Sequence, residues 1–331
     1  MIKTIISRTV ICLLVIILWI LIFLIGAVGI GFYGPSQAAR DLLVATFMET
    51  SAMKFIVRTC FTDEEIEYIL AKNAVIASKK DAKIEVIIAE PEDDDFDINA
   101  VTLENVSGPT FKGKMLIVND PSRVYVASPN GFDLPSGGLR VEEMVERDNA
   151  IAGINGGAFA DENGVGNGGT PLGIVIQNGE LTYGSKQMVG TVIGFDKDNK
   201  LIVSEMSGKK ALELGMRDAV CFPTPPLISN GVAAEATGTG GGLNPRTAIG
   251  QRADGAVLLL VIDGRQAHSI GASYKDIIDV MLKYDAVTAG NLDGGSSTLM
   301  VYEDKIQNVC ASLYGSRKLP TAVLVRQVEE K

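Results

Sequence analysis

The residues most able to do chemistry in this sequence are two aspartates. The wholly apolar run Leu258-Leu259-Leu260-Val261-Ile262 ends in Asp263-Gly264-Arg265. About thirty residues later, Ala289-Gly290-Asn291-Leu292 leads into Asp293-Gly294-Gly295-Ser296-Ser297. A carboxylate at the C-terminal tip of a strand is placed for acid–base or nucleophilic work at the mouth of a cleft. Either aspartate alone also fits an ordinary turn residue bonding its own backbone. The pair, flanked by Asn291, Ser296 and Ser297, points to a site. Upstream, the glycine segment 238–242 delivers Asn244-Pro245-Arg246 onto the start of a strand, and a guanidinium fork suits phosphate or carboxylate. In Ile154-Asn155-Gly156-Gly157, Asn155 ends an apolar strand where a loop can present it to a ligand.

Other chemistries fit less well. His268 is the one histidine, which excludes multi-histidine zinc sites and leaves a serine triad a single base. A serine hydrolase would pair His268 with Ser296 or Ser297, yet there is no GxSxG elbow, and a polar loop histidine is the plainer expectation. No cofactor is called for; a divalent metal would have to rely on oxygen ligands. Gly164, Gly166 and Gly169 match GxGxxG formally, but Pro171 and a strand-like run replace the helix that a dinucleotide site requires. The acidic run 91–95 fits a solvated loop better than a calcium site.

Positioning these residues requires a large folded domain, and 331 residues with 47% hydrophobic and 21% charged side chains supply one. Thr62 and Glu65 form a capping box that opens a helix to about residue 77, and 40–60 reads as a helical stalk. Strands are expected at 83–88, 114–119, 123–127, 149–154, 172–177, 189–195, 200–205, 255–262 and 321–328, with helices near 140–147 and 273–284. Strands outnumber helices and interleave irregularly, so the fold class is α+β with a single mixed-sheet domain.

From Val10 to Tyr33 no residue is charged. This is long enough to span a bilayer, and Lys3 and Arg8 before it put the N-terminus in the cytoplasm by the positive-inside rule. A cleaved signal ending near Ser36-Gln37-Ala38 is the competing reading; length favours a retained anchor. The organisation expected is a cytoplasmic tip and transmembrane anchor over 1–35, a helical stalk over 36–79 and a catalytic domain over 80–331. That domain would lie outside the cell and meet the membrane only through residues 10–33. The chain carries 30 basic and 40 acidic side chains, an acidic balance that argues against nucleic-acid binding. Three cysteines outside the apolar run, without CxxC, do not suggest a disulfide framework. No protein partner can be read from the sequence.

The segments INGGAF (154–159), PLG (171–173), NPRTAIG (244–250), VIDGRQ (261–266), GASYKDIIDVMLKY (271–284) and NLDGGSST (291–298) together resemble the phosphodiester glycosidase family, over about residues 80–328. The resemblance implies cleavage of the bond between sugar C1 and a phosphate oxygen, with a phosphate-linked saccharide as substrate. On it, Asp293 would be nucleophile or base and Asp263 a second carboxylate or orienter, while Arg246 would grip phosphate. Asn155, Asn291, Ser296 and Ser297 would bind sugar hydroxyls and phosphate oxygens. Gly156, Gly157, Gly294 and Gly295 would let backbone N–H groups approach the anion. Relatives of this kind act in exopolysaccharide or cell-wall contexts, so the alternative expectation is a non-catalytic, membrane-anchored saccharide-binding factor on the same fold.

Overall fold

The computed structural model describes residues 2–50, 53–77, 97–161, 164, 166–312 and 314–328. The strand expected at 83–88 and the acidic loop at 91–95 lie outside these residues. Helix α1 (Ile2–Tyr33) contains the Val10–Tyr33 stretch, with mean hydropathy 3.3. It is long and apolar enough to cross a membrane.

The stalk is two helices where one was expected over 40–60, α2 (Gln37–Met48) and α3 (Lys54–Cys60). The break falls at Glu49 and Thr50, whose side chains turn to the 242–246 loop. Helix α4 (Asp63–Lys72) opens with the expected reciprocal cap: Glu65 N–H donates to Thr62 Oγ1 at 3.2 Å and Thr62 N–H to Glu65 Oε2 at 2.9 Å. Phe32 from the end of α1 is buried with Val44, Val57, Ile66 and Ile69, so α1 continues into the three helices that follow as one packed unit.

Beyond the stalk, three antiparallel sheets enclose the core. The largest has seven strands, and Arg246–Arg252 lies near its centre between Ala286–Asn291 and Val257–Ile262. Val257, Leu259 and Val261 point into a central core shared with both five-stranded sheets, where they meet Ile154, Ile193 and Val323. Leu258, Leu260 and Ile262 face the other way, under Ile277, Ile278 and Met281. Those three side chains come from Tyr274–Lys283, the helix expected at 273–284. Burial on both faces explains why that strand reads as an unbroken apolar run rather than an alternating one. Ala150–Asn155 is central in a five-stranded sheet, paired with Met300–Tyr302 and Ala322–Arg326. The architecture is α+β, as the interleaving predicts.

Topology brings the chemistry together. Arg246–Arg252 runs antiparallel to both neighbours, so those neighbours run parallel to each other. Arg246 pairs with Ile262, and Ala248 with Asn291. Arg246, Asp263 and Asp293 therefore meet at one end of three adjacent strands in the middle of one sheet.

Candidate functional site

Asp293 follows the Ala286–Asn291 strand and is held by its backbone. Its N–H donates to Gly156 O at 3.0 Å, and its carbonyl accepts from Asn155 Nδ2 at 2.5 Å. Asn155 is fully buried, and its Oδ1 accepts from Thr247 Oγ1 at 2.8 Å and Leu299 N–H at 3.1 Å. With both ends of its amide engaged, Asn155 positions Asp293 rather than offering itself to a ligand. The side chain of Asp293 is free at one oxygen: Oδ2 is shielded from solvent and has no partner among the described residues. Burial pushes this carboxyl up to about 6, and Asp161 adds to the rise; the Ser297 hydroxyl, the Gly294 N–H and Arg317 act against it. Asn291 Oδ1, two residues before Asp293, is a second buried oxygen without a partner among the described residues.

Asp263 is in a different state. Its Oδ1 accepts from Val309 N–H at 2.9 Å and Asn308 Nδ2 at 3.2 Å, and its Oδ2 lies 3.1 Å from His268 Nε2. One strand separates the Asp263 tip from the Asp293 tip, a backbone distance of about 10 Å. A carboxylate so fully engaged orients its neighbours. His268 thus has a carboxylate partner, and among the described residues no hydrogen bond joins it to Ser296 or Ser297, which disfavours the serine-hydrolase reading.

Arg246 points to the face of the sheet opposite Thr247 and Asn155, as successive strand residues must. There its guanidinium stacks 4.0 Å over the Tyr274 ring, and Nη2 donates to Glu49 Oε2 at 2.6 Å and Gly242 O at 2.7 Å. Burial opposes its charge, but Glu49 and Tyr274 outweigh that and hold it above its ordinary value. The expected phosphate grip at Arg246 is therefore filled by a carboxylate from the stalk. The glycines are also engaged. Gly156 N–H donates to Thr321 O at 3.1 Å, Gly157 N–H to Thr321 Oγ1 at 3.0 Å and Gly295 N–H to Pro245 O at 2.9 Å. Gly156 and Gly157 are glycine because a Cβ at either would press within 2.5–2.7 Å of Thr321 or Cys221. Three of the four N–H groups expected to approach an anion are thus bonded within the fold, and the Gly294 N–H bonds the Asp293 carboxylate.

Sequence reasoning missed Arg317 and Asp161. Arg317 Nη2 and Nη1 meet the two Asp161 oxygens at 2.7 and 2.5 Å, and Nη1 lies 3.4 Å from Ser296 Oγ. The pair holds Asp161 below the usual carboxylate range. Ser297 is buried beside Asp293, and Ser296 faces Arg317. Neither Arg317 nor Asp161 lies in a strand, and no local spacing marks them. Among the described residues, no cluster of three or more His, Cys, Asp or Glu is suited to a metal ion.

The model of the phosphodiester glycosidase family matches residues 148–326, more than half of the chain. The chain belongs to the phosphodiester glycosidase family. The matched region contains Asn155, Asp161, Arg246, Asp263, Asp293 and Arg317. Among curated relatives, N-acetylglucosamine-1-phosphodiester alpha-N-acetylglucosaminidase of Bos taurus is 28% identical over 182 residues, 49% of this chain and 33% of that protein. The SPbeta prophage-derived uncharacterized protein YomE of Bacillus subtilis (strain 168) is 26% identical over 198 residues, 57% of this chain and 29% of its own length. These matches thus span about a third of the relatives' lengths. Of solved structures, the zebrafish N-acetylglucosamine-1-phosphodiester alpha-N-acetylglucosaminidase catalytic domain, auto-inhibited by its pro-peptide, superposes with TM-score 0.57 at 19% identity, covering 72% of this chain and 87% of that one. A putative exported protein of Burkholderia pseudomallei K96243 gives 0.51 at 18% identity, covering 66% and 74%. At such identities these two matches show a shared fold and nothing beyond it.

Proposed function

We propose that this chain hydrolyses the bond between sugar C1 and the phosphate oxygen of a glycosyl-1-phosphodiester, with Asp293 as the reacting carboxylate. The observation that carries this is the free, solvent-shielded Oδ2 of Asp293 on a backbone fixed by Asn155. In the reaction Asp293 attacks C1 directly or takes a proton from a water that attacks it. The C1–O bond breaks and its electron pair leaves on the phosphate monoester. Water supplies the hydroxyl of the free sugar and, overall, one proton. A phosphate monoester has a second pKa near 6, so it departs without strong acid assistance. That fits a site where the second carboxylate, Asp263, is fully hydrogen-bonded. Asn291, Ser296 and Ser297 are the groups for sugar hydroxyls.

Lys3 and Arg8 on the N-terminal side of an apolar helix favour a single-pass protein with its catalytic domain outside. The natural substrate is then a phosphate-linked saccharide of a cell-surface polysaccharide or glycoconjugate. The test uses the full chain in detergent with a panel of sugar-1-(methyl phosphates), following released sugar for wild type and Asp293→Asn. Release by wild type, lowered at least 1000-fold in Asp293→Asn with folding intact, is expected (roughly the scale of removing a reacting group). Saccharide binding without release from any substrate would favour the saccharide-binding factor instead.

A further inference from the structure

The geometry points to Arg265, which neither the resemblance nor the strand tips singled out, as the residue that receives the substrate phosphate and makes the site selective for phosphodiesters; this rests on the reaction proposed above.

Three guanidinium groups surround the strand ends where Asp293 sits, and two are matched. Arg246 is paired with Glu49, and Arg317 with Asp161. Arg265 has no carboxylate partner among the described residues; Nη2 donates to the amide oxygen of Asn244 at 2.9 Å. Asn244 is itself fixed, its Nδ2 donating to Glu49 Oε2 at 3.0 Å, so Arg265 is aimed by a buried network. Its guanidinium lies against the turn after Asp293. A Cβ on Gly295 would stand only 3.3 Å from Nη2 and 3.5 Å from Nη1, and Gly295 has φ +62°. Arg265 also has a left-handed backbone, φ +59°, which a non-glycine residue adopts at a cost and which clusters at functional sites. Packing around the guanidinium, then the like charge of Arg246, lowers its proton affinity, and the attraction of Glu49 offsets this only in part. A bound anion would offset both. A guanidinium whose in-plane donors are partly unfilled among the described residues, lying against Gly295 two positions after the reacting Asp293, fits two oxygens of one phosphate.

The test compares wild type, Arg265→Lys and Arg265→Asn in the full chain. Asparagine tolerates the left-handed backbone and removes the charge, so it separates folding from charge. Each protein is assayed on a sugar-1-(methyl phosphate) and on the neutral 4-nitrophenyl glycoside of the same sugar, and titrated calorimetrically with dimethyl phosphate. Arg265→Asn is expected to lose roughly 100-fold or more in kcat/KM on the phosphodiester, to stay within about twofold on the neutral glycoside, and to lose dimethyl phosphate binding. Arg265→Lys should fall between. Equal losses on both substrates, or no loss on the phosphodiester, would overturn the assignment. If wild type cleaves neither compound, the proposed reaction fails by itself. Phosphate binding lost in Arg265→Asn would then still support the anion site, and binding that is absent in wild type or unchanged in the variant would overturn it.

Discussion

The environment of Asp293 bears on both the proposed reaction and the stability of the fold. Its carboxyl ordinarily titrates near 3.8 and is raised to about 6 by burial. As a nucleophile or base it must be ionised, so kcat/KM should climb with pH up to about 6 and then level off. A fall above 6 would make Asp293 an acid instead. The linkage runs the other way for folding. The folded chain binds this proton more tightly than the unfolded chain, so stability falls as pH rises from about 4 to about 6 and stays lowered above that. Asp293→Asn should therefore unfold at a higher temperature than wild type at pH 7.5, by at most about 3 kcal/mol for a shift of roughly two units. At pH 4 the gap should close. Thermal unfolding at the two pH values checks this, and an equal gap at both would show that the charge is not its cause. The carboxylates were legible because Asp263 ends an apolar run and each aspartate stands beside glycine at a strand tip. The difference between them was not: Val309 and Asn308 saturate Asp263 from more than forty positions away.

At the scale of elements, the stalk is bound to the domain by a polar seam. Helix α2 ends at Glu49, which accepts from Gly242 N–H, Asn244 Nδ2 and Arg246 Nη2. Thr46 Oγ1 accepts from Leu243 N–H at 2.9 Å, and Val75–Ile76 pairs with Glu235–Ala236. The Arg246 guanidinium depends on this seam, since its side chain is only 5% exposed while that of Glu49 is 26% exposed. Glu49→Ala should cost about 3 kcal/mol, because it strands a buried cation. Exchanging both residues for apolar ones, Glu49→Leu with Arg246→Met, should cost less than Glu49→Ala alone. Chemical denaturation of the three proteins decides it; a double variant that loses as much as Glu49→Ala or more would mean that the stranded cation is not the cause. Neither α2 nor the 238–246 loop carries a local mark of this pairing.

For the whole molecule, the junction between α1 and α2 matters. Phe32 packs edge-to-face on Phe47 and Phe61, at centroid distances of 6.0 and 5.1 Å, and Tyr33 stacks on Phe61. A fragment starting at residue 36 discards both aromatics and exposes the bundle around Val44 and Val57. It should be less stable than one starting at residue 28 by about 3 kcal/mol, the scale of removing a buried aromatic. Denaturation midpoints of the two fragments test this, and equal midpoints would show that the stalk bundle closes without α1.

The sequence by itself determined the apolar N-terminal helix, the capped α4 helix, the α+β class and the strands whose tips carry Asp263 and Asp293. These depend on hydrophobic period and on caps, which are local in the chain. Only the tertiary structure decided which charged group meets which. Arg246 is consumed by Glu49, Asp263 by the 308–309 backbone and side chains, and Asn155 by the Asp293 carbonyl, leaving Asp293 and Arg265 with unfilled capacity. Hydrogen bonds and ion pairs act over a few ångströms between segments far apart in sequence, so no spacing along the chain encodes them.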